Sequence, residues 1–598
     1  MTVTRVLGRL IGLAAIAAIG WSLVLILVGG VTMTLGPLRL SSNDPWRPLL
    51  IGVAMAALSV WISGFLGLRS DLRRAAALLT PARAALVLAL ATMLTSLAWN
   101  SWTASGPDSF AYLSEAALWR QGRLSAPAPL AADAPWPDAV ETFAPFGYRA
   151  APDRSASLVP VVAPGVPMLM AALQSIGGHT AAFLVTPLAG GMVVWLTFLI
   201  GRRVRSPMAG LTAAWLVATS PALLFMLMWP MTDVPAAACV ALMSWWLLKR
   251  SPVPPTLALL AGLAGSAAIL TRANTALVVA GAGAWLLVDA MSRAVARVGR
   301  GASVLRLCVF AIGLVPGVAI TAWLNTRWYG SPLSSGYGAA DQLFVLGRSL
   351  TNSGRYLRWI GETSPLALIG LVVLVLPLSR LWSGLGDRRS ALFLTGVVAT
   401  TCLPYLLYQS FVDWWYLRFL LPAFPAIFVA VALLFDVAYQ RRGLARGVAV
   451  AVAIAAGVGG IRVADARGVF TVGREERRYV TVADLVNANT ESTSVILTSA
   501  HSGTVRYYAG RETIRYDVLA PASLDRAIAW LSARGRHPYI LLEDWEAPVF
   551  ATHFAAASAL SALPFAPAVA WQSARIPGWV WLYDPLRKNA ATVIPSPT

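Results

Sequence analysis

The chain has 598 residues, of which 57% are hydrophobic and 12% charged, with a formal net charge of +20. A water-soluble fold cannot bury that much apolar surface, because a single core stops growing beyond about 250–300 residues and splits into domains. The composition describes a polytopic membrane protein, and its positive charge is not that of a nucleic-acid binder, since no Lys/Arg-rich run is interleaved with aromatic residues.

A membrane span needs about 20 predominantly apolar residues. On that measure about 13 transmembrane helices are predicted, near 7–35, 49–68, 84–103, 180–200, 208–228, 231–248, 256–271, 274–290, 306–325, 363–380, 391–410, 418–438 and 444–463. Arg5 and Arg9 precede the first, which has no convincing cleavage site and so reads as a retained span, not a removed signal peptide. The stretches 256–271 and 274–290 are short enough for a partly penetrating hairpin. Residues 158–176 are apolar but interrupted by Pro160, Pro164 and Pro167, and are read as an interfacial or re-entrant helix.

The basic clusters orient these spans. Arg5/Arg9, Arg69/Arg73/Arg74, Arg202/Arg203/Arg205, Lys249/Arg250, Arg293/Arg297/Arg300, Arg388/Arg389 and Arg441/Arg442/Arg446 all fall on one side if the spans alternate. By the excess of Lys and Arg in inward-facing loops, that side is cytoplasmic. Residues 104–179, 326–362 and everything after about 463 then lie outside. Lysine occurs only at Lys249 and Lys588, an arginine bias that goes with GC-rich coding and a bacterial source. Cys239, Cys308 and Cys402 are far apart in apolar stretches and suggest neither a disulfide framework nor a zinc site.

After the last span the charge content rises. Val495-Ile496-Leu497-Thr498, Tyr539-Ile540-Leu541-Leu542 and Trp579-Val580-Trp581-Leu582-Tyr583 read as short strands, and 522–534 as a helix. Three regions are expected: an N-terminal transmembrane hairpin over 1–83, a membrane domain over 84–463 with a large outer loop at 104–179, and a small α/β domain over 464–598 on the outer side.

Within this frame two acids stand out. Asp108, in Pro107-Asp108-Ser109-Phe110-Ala111-Tyr112, and Asp233, in Met231-Thr232-Asp233-Val234-Pro235, both sit at the ends of spans and on the same face. A carboxylate at a membrane boundary costs free energy, so it is usually functional or paired. Either acid also suits a helix cap, with Pro235 in the first turn after Asp233. Tyr112, Glu115 and Trp119 follow Asp108 at helical spacing.

Thr271-Arg272-Ala273-Asn274 separates two short spans on that face, and Asn325-Thr326-Arg327-Trp328-Tyr329-Gly330 closes another. A guanidinium there suits a phosphate, or an ion pair with Asp233, or snorkelling to the interface. The aromatic run Asp413-Trp414-Trp415-Tyr416-Leu417-Arg418 reads as an interfacial belt or as a substrate wall. His501 has no metal partner at ligand spacing and reads as structural.

Taken in order, Pro107 to Tyr112, Gly201-Arg202-Arg203, Ser220-Pro221, Met231 to Pro235, Leu270-Thr271-Arg272, Tyr329-Gly330-Ser331-Pro332-Leu333 and Arg418-Phe419-Leu420-Leu421-Pro422-Ala423 resemble the polytopic GT-C glycosyltransferases. Within that group the chain looks like the bacterial family 39-like enzymes related to protein mannosyltransferases and aminoarabinose transferases. The resemblance spans roughly residues 84–440, and the sequence departs from it by the extra hairpin over 7–68 and by a loosened Pro164-Gly165-Val166-Pro167.

The resemblance implies a GT-C-like membrane domain using a polyprenyl-phosphate-linked sugar donor at the periplasmic face of a bacterial inner membrane. It implies Asp108 as catalytic base and Asp233 as a second acid shaping the site. Tyr112, Arg272, Asn274, Arg327, Tyr329 and Arg418 are the expected substrate-binding residues, with Arg272 or Arg327 stabilising the departing phosphate. The acceptor is a glycan, lipid or protein hydroxyl, attacked in a single inverting displacement, and membrane lipid surrounds the chain. A divalent metal between the acids is compatible with these residues, and nothing in the sequence requires one. The alternative is a transporter or flippase of lipid-linked sugars, which would place ionisable groups near the bilayer midplane between repeated halves; no such repeat is visible.

Overall fold

The computed structural model describes residues 3–28, 31–35, 38–78, 80–153, 155–249, 252–295, 300–338, 340–375, 388–441, 443–573, 578–587 and 592–595. Arg250, Arg297, Arg442, Lys588 and the end of the span expected over 363–380 lie outside them. Among the described residues, seven helices are long and apolar enough to cross a membrane: Pro81–Trp99, His179–Val204, Ala273–Ser292, Ser303–Tyr329, Arg388–Leu407, Trp414–Gln440 and Leu444–Ala466. This is a multi-pass membrane protein.

Other stretches expected as spans form shorter helices, and local chemistry explains where they stop. The stretch over 208–228 divides into Pro207–Ala218 and Pro221–Met226. Pro221 cannot donate to the preceding turn, and the Ser220 hydroxyl caps the new one by accepting from the Leu223 N–H at 3.4 Å. After Pro230 the chain restarts as Asp233–Leu248. The span expected over 7–35 ends as the helix Val3–Val28 and is followed by a hairpin, with Val31–Leu35 pairing antiparallel to Leu38–Ser42. Its β-branched, alternating Val31-Thr32-Met33-Thr34 favours a strand.

The two short segments read as a hairpin are Pro255–Thr271 and the helix Ala276–Val295, and both pack against the long helix Arg300–Tyr329. Gly262 lets the first lie close to it: a Cβ there would come within 2.2 Å of the Phe310 carbonyl oxygen. Small residues at such a crossing are how membrane helices gain close packing. At one end of the helix set, Arg205 donates to Asp436 at 2.7 Å, Ser206 and Gln440 bond the same carboxylate, and Arg203 donates to the Lys249 carbonyl at 3.2 Å. The acids singled out in the sequence lie at the other end.

The chain after Ala466 builds a six-stranded mixed sheet in the order Thr592–Pro595, Val569–Gln572, Trp579–Tyr583, Pro538–Glu543, Val495–Leu497, Glu512–Ile514. Its strands at 495, 538 and 579 are those expected; the other three, Glu512–Ile514, Val569–Gln572 and Thr592–Pro595, are not. One face of this sheet shares a core with residues from the long 104–179 loop: Trp136, Phe143 and Tyr148 pack with Leu497, Leu524 and Phe550. Arg506 donates to the Phe143 carbonyl at 2.9 Å and the Arg515 N–H to that of Thr142 at 2.7 Å. The stretch 158–176 becomes a strand, Ser157–Pro160, and the helix Gly165–Gly177, divided by the prolines.

Candidate active site

The helix Gly106–Arg120 starts where the chain turns after Asn100, with Pro107 in its first turn. Proline suits that position, and an acid there is favoured by the helix dipole. Its N-cap residue is Ser105, so Asp108, the third residue of the helix, is not the cap and its carboxylate is available to other partners. That carboxylate, 48% exposed, accepts from Arg418 Nη1 at 3.1 Å. One turn on, the buried Tyr112 hydroxyl shares a 3.1 Å hydrogen bond with the Thr232 hydroxyl. Burial pushes the Tyr112 phenol well above its ordinary range, with Tyr337, Asp108 and Asp233 adding to the effect.

Thr232 is the residue before Asp233, which opens its helix with a side chain only 3% exposed. Asp233 is ion-paired with Arg272, one of the arrangements the sequence left open. Arg272 stands in extended backbone between the helix Pro255–Thr271 and the turn Ala273–Thr275. Gly165 fixes that turn from below: a Cβ there would lie 2.7 Å from the Leu270 carbonyl carbon and the Thr271 nitrogen. The Pro164-Gly165-Val166-Pro167 segment thus presses directly on the backbone that aims Arg272.

Both arginines converge on one ring. The Arg272 guanidinium lies 5.0 Å and that of Arg418 5.3 Å from the Phe419 centroid, and Arg418 also lies 5.2 Å from Tyr416. Phe419 is in turn stacked on Tyr405 at 4.8 Å, whose hydroxyl accepts from Asn274 at 3.2 Å. Two cations and two anions are therefore held around an aromatic platform. Each acid faces an arginine rather than sharing a chelating position with the other. Among the described residues no group of three or more His, Cys, Asp or Glu could hold a metal ion.

Two cavities meet at this cluster. The first, about 440 Å³, is lined by Asp108, Tyr112, Asp233 and Arg272, and by Asn274, Tyr329 and Arg418. Seven of the eight residues expected at the site are thus brought together. Arg327 is not among them: it is exposed on the helix Arg300–Tyr329, while its neighbour Trp328 turns inward and donates to the Leu124 carbonyl at 2.8 Å. The second cavity, about 660 Å³, lies across Asp108, Tyr416 and Arg418 and is lined beyond them by Trp229, Trp415, Glu476 and Tyr479. Of the aromatic run at 414–416, Trp415 and Tyr416 therefore line cavities.

Sequence reasoning missed Tyr337, Tyr405 and Tyr408 in the first cavity and Glu476 and Tyr479 in the second. The pair Tyr405/Tyr408, at helical spacing near the end of an apolar helix, carried a signal that could have been read. Nothing local to Glu476 distinguishes it. Burial raises its carboxyl to about 7, against partial relief from Ser105 and Arg478. Glu115, on the Asp108 helix, is 1% exposed and accepts from Trp119 Nε1 at 2.9 Å; burial raises it to about 8.

His501 is wholly buried and shares a 2.8 Å hydrogen bond with Glu543, in keeping with the structural reading. Burial opposes ionisation of Glu543, but the bond and charge of His501, together with Arg478, outweigh it and hold Glu543 at about 2.

No family model and no curated protein matches this sequence. Among solved structures, the chain is similar to ArnT from Cupriavidus metallidurans bound to undecaprenyl phosphate, with 13% identity and a TM-score of 0.47 over 83% of this chain and 97% of that one. It is also similar to the archaeal oligosaccharyltransferase AglB from Archaeoglobus fulgidus in complex with an inhibitory peptide and a dolichol-phosphate, with 13% identity and a TM-score of 0.47 over 76% of this chain and 69% of that one. These are the kind of protein that the sequence resemblance points to.

Proposed function

We propose that this chain is a membrane glycosyltransferase that moves a sugar from a polyprenyl-phosphate donor to an acceptor hydroxyl. The observation that carries the reading is Asp108, half exposed and lining both cavities, hydrogen-bonded by Arg418, with Arg272 lining the first cavity beside it. The first cavity offers Arg272 and Arg418 to a phosphate, on an aromatic floor suited to the sugar. The second gives an acceptor access to the opposite side of the same carboxylate.

In the step proposed, the acceptor oxygen attacks the anomeric carbon as the bond from that carbon to the phosphate oxygen breaks. The acceptor proton passes to Asp108, and the lipid phosphate leaves with the bonding pair. A positioned base of this kind contributes about 10²–10⁴-fold. The charge arriving on the leaving phosphate is met by guanidinium groups held in place before the reaction begins. Asp233 keeps Arg272 in place between substrates, and Tyr112 ties the helix of Asp108 to the helix of Asp233 through Thr232.

The setting we propose is a bacterial inner membrane crossed about 13 times, with the site and the sheet after residue 464 on the periplasmic face. The distribution of basic clusters supports this orientation. The proposed partition is a hairpin over 1–83, a catalytic membrane domain over 84–463 and an α/β domain over 464–598. The test is release of polyprenyl phosphate from a panel of lipid-linked sugars by the full chain in liposomes, with a cell-envelope extract as acceptor. The expected result is release from one donor and a product of inverted anomeric configuration. No release from any donor overturns the reading, and retained configuration overturns the single displacement.

A further inference from the structure

The lining of the second cavity narrows what the acceptor is. Two indoles border it: Trp415 is stacked on Phe225 at 5.8 Å, and Trp229 packs on the same ring at 6.0 Å. Both are only partly buried. Flat aromatic surfaces of this kind suit the C–H face of a sugar ring.

Between them stand polar groups with capacity to spare. The Trp229 indole N–H has no hydrogen-bond partner among the described residues, and neither does the hydroxyl of Ser109, a residue 1% exposed that lines the same cavity. A buried donor without a partner is costly, so such groups point to a ligand or ordered water that completes them. Glu475, Glu476 and the Tyr479 hydroxyl add acceptors and a further donor. With its carboxyl raised to about 7 by burial, Glu476 both donates and accepts near neutral pH.

The charges argue against an anionic occupant. Three carboxylates, Asp108, Glu475 and Glu476, line the cavity with two arginines. Arg418 is already paired with Asp108, and Arg467 with Glu362, while its guanidinium also lies 4.9 Å from the Trp414 ring. A phosphorylated or acidic acceptor would therefore find both arginines already facing a carboxylate and would meet Glu475 with no further cation in the lining to balance it, an arrangement that selects against it.

We propose that the second cavity is an acceptor site for an uncharged carbohydrate, its terminal ring stacked against Trp229 and Trp415 and its hydroxyls bonded by Ser109, Glu476 and Tyr479. The assignment rests on the glycosyltransferase reading and gives it an acceptor class. It also gives the segment after the last membrane helix a specificity role, since Glu476 and Tyr479 come from there.

The test uses the full chain in nanodiscs, fluorescently labelled, on an array of neutral, phosphorylated, sialylated and uronic-acid glycans, with peptides as a separate panel. The best ligand is then titrated by saturation-transfer NMR. The expected result is selective binding of a neutral glycan, weakened about tenfold by Trp415→Ala and by Glu476→Ala. Trp415→Phe, which keeps an aromatic plane, serves if the alanine variant does not fold. Binding only of anionic glycans or peptides, no glycan binding, or binding that ignores both substitutions overturns the proposal. Release of polyprenyl phosphate is measured in parallel. Release without neutral-glycan binding overturns this acceptor class and leaves the transferase standing. Neutral-glycan binding that depends on Trp415 and Glu476, without release from any donor, keeps the site and overturns the transferase.

Discussion

The ion pair between Arg272 and Asp233 separates a structural role from a functional one when its members are removed singly and together. Their side chains are 16% and 3% exposed, so Arg272→Gln leaves a carboxylate without a partner in a place water barely reaches. Removing one member of a buried pair costs about 3–5 kcal/mol, whereas replacing both by neutral groups of similar shape is often close to neutral. Arg272→Gln alone is therefore expected to unfold at markedly lower temperature, and Arg272→Gln with Asp233→Asn to recover most of the loss. Transfer behaves differently, because the cation that meets the leaving phosphate is absent in both variants. Loss of one such preorganised donor lowers kcat on the order of 10²–10³-fold. The assay pairs thermal unfolding in detergent with polyprenyl phosphate release in liposomes. A double variant that regains activity along with stability would show that Arg272 only balances Asp233, and the phosphate role would fall.

Three further outcomes follow from the same geometry. Glu115 ionises near 8 when folded against 4.5 when exposed, which corresponds to roughly 4–5 kcal/mol at the upper limit; because the folded value is raised, this stability is complete below about 4.5 and lost as pH rises through about 8. The drop in melting temperature between pH 6 and pH 9 should therefore shrink in Glu115→Gln, and an undiminished drop would place the titration elsewhere. Gly165→Ala drives a methyl to 2.7 Å from the backbone at Leu270 and Thr271, so a shift costing about 1–3 kcal/mol is expected, with weaker donor binding by isothermal titration; wild-type affinity would show that the turn does not aim Arg272. Tyr112→Phe deletes the 3.1 Å bond to Thr232, worth about 0.5–1.5 kcal/mol, so melting should fall slightly while transfer falls less than about tenfold; complete loss of transfer would give the phenol a direct part in the reaction.

What could be read from the sequence was what continuous apolar length and misplaced charge encode. Pro81–Trp99, Arg388–Leu407 and Leu444–Ala466 are near-continuous apolar runs, and their expected positions differ from the observed ones by a few residues. Asp108, Asp233 and Arg272 were visible because a charge at the end of a span needs a reason. The hairpin at 31–42 was not, since its alternation is hidden by the apolar run before it. Arg327 was misjudged by treating the 325–333 segment as a turn: the helix continues to Tyr329, and its period carries 327 outward while 328 turns inward. Glu476, Tyr479 and Tyr337 reach the cavities from segments whose position is set by tertiary packing, including the shared core of the 104–179 loop and the C-terminal sheet. No local pattern encodes that.

The claim that Asp108 is the base is tested most directly by single-turnover transfer at saturating donor, comparing wild type with Asp108→Asn, with donor affinity measured alongside. Its partner Arg418 is only 18% exposed, against 48% for the carboxylate, but asparagine keeps an oxygen that accepts from its Nη1, so the variant should remain folded. The account predicts a rate lower by about 10²–10⁴-fold with donor binding retained. A rate within about tenfold of wild type, with donor bound as before, would contradict it.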